Sequence, residues 1–130
     1  MIGYEDEPGC SAEICICEVF GRDVGADHAA VGIGVHPFGD PRVRDEFAAQ
    51  KVPIYAREFH VYAAEWTLEH VGFFVDGEPV KTVGQSPSYP MQLMLSLYEL
   101  PHDAGERIVT GPYPKEFVVN YVRGYRWVPN

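Results

Sequence analysis

Residues 13–18 read Glu-Ile-Cys-Ile-Cys-Glu, a β-prone stretch with an acidic residue at each end. In a regular strand, residues 13, 15 and 17 share one face, while both isoleucines and Glu18 share the other. The isoleucines make that second face the core face, and a lone carboxylate buried there is costly. A β-bulge after Cys15 adds one unpaired residue and returns Glu18 to the face of Glu13. The stretch therefore predicts a bulged strand that projects two carboxylates into one groove.

Two carboxylates on one strand are suited to chemistry at a glycosidic bond. Hydrolysis with retention of configuration needs a nucleophile and a proton donor whose carboxyl groups lie roughly 5 Å apart. Glu13 and Glu18 are therefore the candidate reacting pair. The stretch alone leaves open that both are surface carboxylates on an exposed strand.

The sequence beyond this stretch is also rich in strand patterns. Residues 29–36 read Ala-Ala-Val-Gly-Ile-Gly-Val-His, so three β-branched side chains share one face and two glycines share the other with His36. Bare glycines beside a histidine indicate a face that something large approaches. Asp76-Gly77 between two apolar runs predicts a hairpin, because glycine accepts the positive φ of a tight turn. Further strands are expected at 58–66, 91–98 and 116–127, with an irregular loop at 42–50.

Composition favours an all-β chain. Hydrophobic residues make up 46% and aromatic residues 13% of the 130 residues, and 13 glycines and 11 prolines interrupt the chain often. Few stretches have helical periodicity. These features together predict short, mostly antiparallel strands packed as a sandwich of sheets.

The charge balance and the short length of the apolar runs argue against nucleic acid and membrane partners. Ten basic against nineteen acidic residues give a net charge of -9, so we expect no nucleic acid partner. No apolar run approaches ~18 residues, so we expect no membrane span. Residues 1–9 have no basic and no apolar signal region, so we expect no signal peptide in this chain.

The odd number of cysteines, Cys10, Cys15 and Cys17, leaves at least one thiol unpaired within the chain.

Five short motifs lie in order along the chain. They are EICICE (13–18), EFHVYAAEWT (58–67), FFVDG (73–77), PMQLMLSL (90–97) and YPKEFVVNYVRGY (113–125). The first resembles the Glu-x-Asp-x-x-Glu signature of glycoside hydrolase family 16, and the others resemble that family's FHxYAxEWT, YVDG, PMxLxLNL and FxVDYVRVY patterns. This family contains the laminarinase-like β-glucanases and their agarase and carrageenase relatives. The resemblance extends from about Glu13 to Arg126, which is nearly the whole chain.

The resemblance implies a concanavalin A-like jelly-roll sandwich whose concave sheet holds a polysaccharide. By position, it implies Glu13 as nucleophile and Glu18 as general acid/base of a retaining endo-hydrolase. The favoured substrate is β-1,3-glucan, and galactans stay open. The other implied site residues are Cys15 at the middle catalytic position and His36, Gln92, Ser96 and Tyr98 along the substrate cleft.

The sequence departs from the family pattern in three places. Cys15 replaces the middle Asp, and a thiol is a poor hydrogen-bond partner, so we expect weak or absent hydrolysis. The family domain is about twice as long, in the ~200–250 residue range. We therefore expect residues 1–130 to form a single partial domain, the C-terminal half of the family's domain. The chain is either a fragment of a longer protein, which we favour, or a shortened relative that covers the gap by self-association through exposed strand edges. Asn120 replaces an Asp that often helps to hold calcium in the family, so we predict no metal and no cofactor.

Two other interpretations remain. In the first, the chain is a non-catalytic glycan-binding protein on the same fold, and the cysteine at position 15 favours this interpretation. In the second, the chain is an inactive fragment. The resemblance further implies an extracellular location. Trp66 is expected in the core, where tryptophan usually lies.

Overall fold

The structure, a computed structural model, describes residues 1–99 and 113–128. It divides into two compact units, Met1–Met94 and Leu95–Asn130. The first unit is all-β apart from two short 3-10 turns, Pro8–Cys10 and Gly21–Asp23. Its strands are β1 (Ile2–Gly3), β2 (Glu13–Glu18), β3 (Ala29–His36), β4 (Ala48–Val52), β5 (Tyr62–Trp66), β6 (Val71–Val75), β7 (Glu78–Val83) and β8 (Met91–Gln92). The predicted all-β class is therefore confirmed.

The strands form two antiparallel sheets. Five strands pair in the order β4-β3-β2-β1-β8, and three pair in the order β5-β6-β7. The strand β3 is bonded along both edges, to β2 and to β4. Across the interior, β2 packs against β5, and β3 packs against β6 and β7. The result is the two-layer sandwich that the strand pattern predicts.

The core lies between the two sheets and follows the alternation of the sequence. Val31, Ile33 and Val35 of β3 are completely buried. Ile14 of β2 and Phe73 of β6 are completely buried as well, so the apolar faces of both sheets meet. Because alternate residues of a strand point to opposite faces, the even-numbered residues of β3 are left on the outer face of the five-stranded sheet.

The β6–β7 hairpin is formed as predicted. Val75 pairs with Glu78 across a turn in which Asp76 has φ 52° and Gly77 has φ 86°. The Asp76 side chain also accepts a hydrogen bond from the Val61 N–H at 2.8 Å. His60 lies at 13% side-chain exposure, with Nδ1 2.7 Å from Asp76 Oδ2. These bonds attach the turn to the segment that precedes β5.

Four predictions differ from the structure, and the first is the strand at 58–66, which begins only at Tyr62. Residues 91–98 contain only the two-residue strand β8, and residues 116–127 contain no strand in the part of the chain that the structure describes. The predicted loop at 42–50 includes the start of β4. β1 was not expected at all, because two residues are too few to carry an alternating pattern.

Trp66 also differs from its prediction. Its side chain lies at the end of β5 and is 39% exposed. The indole Nε1 donates a hydrogen bond to the Pro87 carbonyl at 2.9 Å. The polar edge of the indole is thus satisfied at the margin of the sandwich, and the ring does not enter the core.

The second unit, by itself, has a different character. Its described residues, 95–99 and 113–128, contain neither helix nor strand, and every one of them is exposed. Large apolar side chains are included, with Trp127 at 85% and Tyr125 at 86% exposure. The expectation of one partial domain over residues 1–130 stays a prediction. Across both described ranges, no helix combines the length and apolar character needed to cross a membrane.

Candidate active site

The face of β2 that carries the carboxylates is defined by its pairing with β3. Glu13 pairs with His36, Cys15 with Gly34 and Glu18 with Gly32, with a register shift between Cys15 and Glu18. Directly opposed residues of antiparallel strands project to the same face. The three β3 partners are two residues apart and therefore share the outer face of the sheet. The shift is the predicted bulge, and it brings both carboxylates to that outer face.

The apolar residues of β2 explain why the bulge forms. Ile14 is fully buried opposite Val35, and Ile16 packs partly against the same core. Without the extra residue, the next inward position would belong to Glu18, whose carboxylate would be desolvated. Glu18 is exposed instead, while Glu13 is half-buried. Core packing of the isoleucines therefore determines where the carboxylates point.

Cys15 lies on the same face between the two carboxylates. It is buried, with 7% exposure, and its Sγ is 3.7 Å from the Gly32 carbonyl oxygen. Burial, with smaller contributions from the negative charges of Glu13 and Glu18, raises the pKa of the Cys15 thiol to about 12. The thiol is therefore neutral at physiological pH. All three cysteines are free thiols.

His36 lies opposite Glu13 and is held from the other side by the segment that precedes β4. Its Nδ1 is 3.3 Å from Asp45 Oδ2, and its ring lies 4.4 Å from the Phe47 ring, centroid to centroid. Asp45 also accepts a hydrogen bond from the Phe47 N–H at 3.1 Å. That backbone bond first, and the bond to His36 next, lower the pKa of Asp45. The site thus contains a carboxylate that orients His36.

The predicted substrate residues fall into both units. Gln92 of β8 pairs with Ile2 of β1, and Ile2 pairs with Glu13. Gln92 therefore projects from the same face as Glu13, two strands away, at roughly 10 Å by the usual strand spacing. Ser96 and Tyr98 belong to the second unit and are exposed. Their role in the site stays a prediction.

Sequence reasoning missed Phe47 and Asp45, which lie in the predicted irregular loop. The indirect signal was the pair of glycines at 32 and 34, which predicted a close approach to this face. The approaching group is the chain itself. A Cβ on Gly32 would lie 2.5 Å from Phe47 Cζ, and a Cβ on Gly34 would lie 2.2 Å from the Glu46 carbonyl oxygen.

The outer face continues past Glu18 into a shallow, open cavity of about 350 Å³. Ala30 of β3 and Lys51 of β4 are paired there, so they share the face of Glu18. Arg22, Asp23 and His28 also line the cavity. This cavity extends the outer face along the strands beyond Glu18.

A possible metal-ligand group lies elsewhere. Among the described residues, the ligand atoms of Glu5, Glu7 and Cys10 lie within 4.8 Å of one another. Both carboxylates are exposed, and the Cys10 thiol is 3.6 Å from Glu5 Oε2. These residues belong to the segment between β1 and β2 and none of them is among the predicted site residues. Asn120, the position discussed for calcium, lies in the second unit.

Comparison with known proteins identifies the family of the chain. Glycosyl hydrolases family 16 matches residues 5–110. A beta-glucanase of Rhodothermus marinus is 33% identical over 92 residues, which is 60% of this chain and 32% of that protein. A Crh-like protein of Arthroderma benhamiae is 29% identical over 86 residues, which is 62% of this chain and 18% of that protein.

A solved structure shows the same fold. The GlcNAcα1-4Gal releasing endo-β-galactosidase from Clostridium perfringens superimposes with a TM-score of 0.51 at 24% identity. The match covers 66% of this chain and 21% of that one. The chain therefore spans a third or less of the length of each of these relatives. The jelly-roll sandwich is thus supported by an experimental relative, and the chain belongs to glycosyl hydrolases family 16.

Proposed function

We propose that this chain carries the reacting carboxylates of a retaining endo-glycosidase that hydrolyses a β-linked polysaccharide, with β-1,3-glucan as the substrate. One observation carries the proposal. The register of β2 against β3 gives Glu13 and Glu18 a common face across a bulge. The named beta-glucanase relative supports a β-glucan in particular.

In the proposed reaction, a Glu13 carboxylate oxygen attacks the anomeric carbon. The bond from that carbon to the leaving sugar oxygen breaks while the Glu18 carboxylic acid protonates that oxygen. Glu18, now a carboxylate, takes a proton from water. The water oxygen then attacks the anomeric carbon and releases Glu13. Two inversions at one carbon give net retention.

Cys15 sets the expected rate. A neutral thiol between the carboxylates brings neither the charge nor the strong hydrogen bond of a third carboxylate. Loss of one such partner costs on the order of 10²-fold in rate. We therefore expect weak hydrolysis by the natural sequence.

The test is release of reducing ends from a soluble β-1,3-glucan by the natural chain and by Cys15→Asp. The Asp variant should be faster by about 10²-fold, because it restores a partner between the carboxylates. Cys17→Asp is the matched control, since Cys17 lies on the same strand and is exposed. Glu13→Gln should abolish release in both forms. Proton NMR of the first product should show the β-anomer before mutarotation.

Equal turnover by the natural chain and Cys15→Asp would contradict the role given to Cys15. Inversion at the anomeric carbon would contradict the role of Glu13 as nucleophile. A folded chain that binds the glucan but releases nothing, even as Cys15→Asp, would favour the second candidate function. That candidate is a glycan-binding protein, and the buried neutral thiol of Cys15 is the observation that favours it.

Two further parts of the proposal concern location and assembly. A polysaccharide substrate and the family suggest a protein that works outside the cell. Exposed apolar side chains in the second unit, such as Tyr125 and Trp127, support self-association. Sedimentation at two concentrations distinguishes a monomer from an assembly.

A further inference from the structure

Phe47 occupies the outer face of the five-stranded sheet beside the carboxylates. Its ring tip lies where a side chain of residue 32 would be, 2.5 Å from the position of a Cβ on Gly32. Glu18 Cβ is 3.3 Å from that same position. The ring is half-buried. A flat apolar surface therefore lies next to the proposed acid/base, and the absence of a side chain at Gly32 makes room for it.

The segment that carries Phe47 is held firmly. Gln85 Nε2 donates to the Arg44 carbonyl at 2.8 Å and to Glu46 Oε1 at 2.8 Å. Lys81 Nζ donates to the Glu46 carbonyl and, at 3.2 Å, to the Ile33 carbonyl. The three-stranded sheet and the segment after it thus fix this part of the chain against β3. A ring on such a segment is preorganised and loses little freedom when a ligand binds.

Asp45 links the ring to the histidine. One carboxylate oxygen accepts from the Phe47 N–H and the other contacts His36 Nδ1. The two rings then stack at 4.4 Å with a 30° tilt. Asp45 therefore fixes, from one side chain, the backbone at Phe47 and the orientation of His36. The two rings therefore lie over β3, from His36 opposite Glu13 to Gly32 opposite Glu18, directly beside the row of carboxylates.

We propose that Phe47 is the surface on which a sugar ring of the glycan stacks, with Asp45 as the residue that positions it. A β-linked pyranose with equatorial substituents has an apolar face of axial C–H groups, and this face packs well on an aromatic ring. Stacking on Phe47 brings the glycosidic oxygens of the chain to the side of Glu18. This inference rests on the proposed glycan function, and it adds a specificity residue to it. It applies to a β-galactan as well, because the axial 4-hydroxyl of galactose lies on the side of the ring opposite the axial C–H groups of C1, C3 and C5.

The test measures binding, so that it does not depend on turnover. Calorimetric titration uses the Glu18→Gln chain, which cannot protonate the leaving oxygen, with a β-1,3-glucan hexasaccharide and, separately, a β-galactan hexasaccharide. Phe47→Leu keeps the apolar volume and removes the flat ring, and should weaken binding at least about tenfold. Phe47→Tyr keeps the ring and should restore affinity. The matched control is Phe59→Leu, an aromatic residue at 71% exposure before β5, and it should change nothing.

Asp45→Asn tests the positioning role. It keeps size and shape but removes the charge, and should weaken binding less than Phe47→Leu while the melting temperature stays that of the parent. Unchanged binding in Phe47→Leu would overturn the stacking role and leave the proposed glycan function standing. Tighter binding in Phe47→Leu would mean that the ring obstructs the cleft, and would also overturn it. Failure of the folded parent to bind either oligosaccharide would reject the glycan function itself, and the stacking role with it.

Discussion

The strand β3 and residues 116–127 have similar sequence patterns, but only β3 forms a strand in the structure. Both are rich in β-branched or aromatic residues, and both were expected to form strands. β3 is hydrogen-bonded along both edges and buries Val31, Ile33 and Val35 completely. In the other segment every described residue is exposed and none is in a strand. A β pattern therefore indicates what a segment is able to bury, whereas neighbouring strands and an opposing sheet determine whether the segment is buried.

The largest predicted difference in unfolding free energy is between alanine substitutions at two phenylalanines, one from each unit. Phe73 on β6 is completely buried, and Phe117 is 54% exposed. Phe73→Ala should lower the free energy of unfolding by about 3–5 kcal/mol, because it removes buried apolar area and leaves a cavity. Phe117→Ala should change it by less than about 0.5 kcal/mol. Urea denaturation followed by tryptophan fluorescence and by circular dichroism measures both.

A loss of unfolding free energy in Phe117→Ala as large as that in Phe73→Ala would contradict this prediction. It would mean that residues 116–127 are packed in solution, either within one molecule or against a second copy. Repeating the measurement at a tenfold lower protein concentration would distinguish these two cases, since only association depends on concentration.

A smaller difference in stability is expected between alanine substitutions at two glycines. Gly34 of β3 has φ 147°, and a Cβ there would lie 2.2 Å from the backbone oxygen of Glu46. Gly34→Ala should therefore cost about 1–3 kcal/mol through strain and displacement of the backbone. A Cβ on Gly124 meets no described atom within 4 Å, so Gly124→Ala should have little effect. Thermal unfolding of the two variants provides the test, and equal melting temperatures would contradict it.

The smallest effect concerns pH and lies wholly in the first unit, Met1–Met94. His60 has Asp76 at Nδ1 and the Tyr55 carbonyl at Nε2, at 2.7 and 3.0 Å. Both partners accept hydrogen bonds, so the doubly protonated ring is favoured. The bond to Asp76, and then the bond to the Tyr55 carbonyl, raise the pKa of His60 above its ordinary 6.5. Bonds from the Val61 N–H and from His60 lower the pKa of Asp76 below its ordinary 3.8.

The direction of each pH effect on stability follows from the difference between the pKa of the group in the folded chain and its pKa in the unfolded chain. Stabilisation by His60 is complete below about pH 6.5 and is lost as pH rises through the raised pKa. Stabilisation by Asp76 is present above about pH 3.8 and is lost as pH falls through the lowered pKa. Both contribute between these limits, and we expect under about 1 kcal/mol, since Asp76 is partly exposed. His60→Gln should flatten the dependence of unfolding free energy on pH between 5 and 8. An unchanged slope in that variant would assign the dependence to other groups.

Much of the face that carries Glu13 and Glu18 was predictable from the sequence. The isoleucines at 14 and 16 demand a buried face, and that demand implies the bulge before Glu18. Asp76-Gly77 identifies its hairpin because few residue pairs accept its turn. These features are local, and a handful of residues determines each of them.

The features that were missed depend on partners far along the chain. β1 is a strand because β2 and β8 lie on either side of it, although two residues carry no pattern. Trp66 is exposed because Pro87 offers a hydrogen bond at the margin of the sandwich. Phe47 is identified only through Gly32, fifteen positions earlier in the chain. The glycines showed that a close approach was required, and nothing local showed which residue supplied it.

The bulge in β2 also makes the spacing of the glutamates a matter of parity. Four residues separate Glu13 from Glu18, and in an unbulged strand an even number of intervening residues puts the two ends on opposite faces. Substitutions at the exposed Cys17 can be absorbed as long as the number of residues is kept, and substitutions at Ile16 can be absorbed only if the residue stays apolar. Deletion of one residue there, with loss of the bulge, would leave three intervening residues and keep both carboxylates on one face, whereas deletion with the bulge retained would reverse one of them. Over evolutionary time, the length of this stretch and its bulge therefore have to change together.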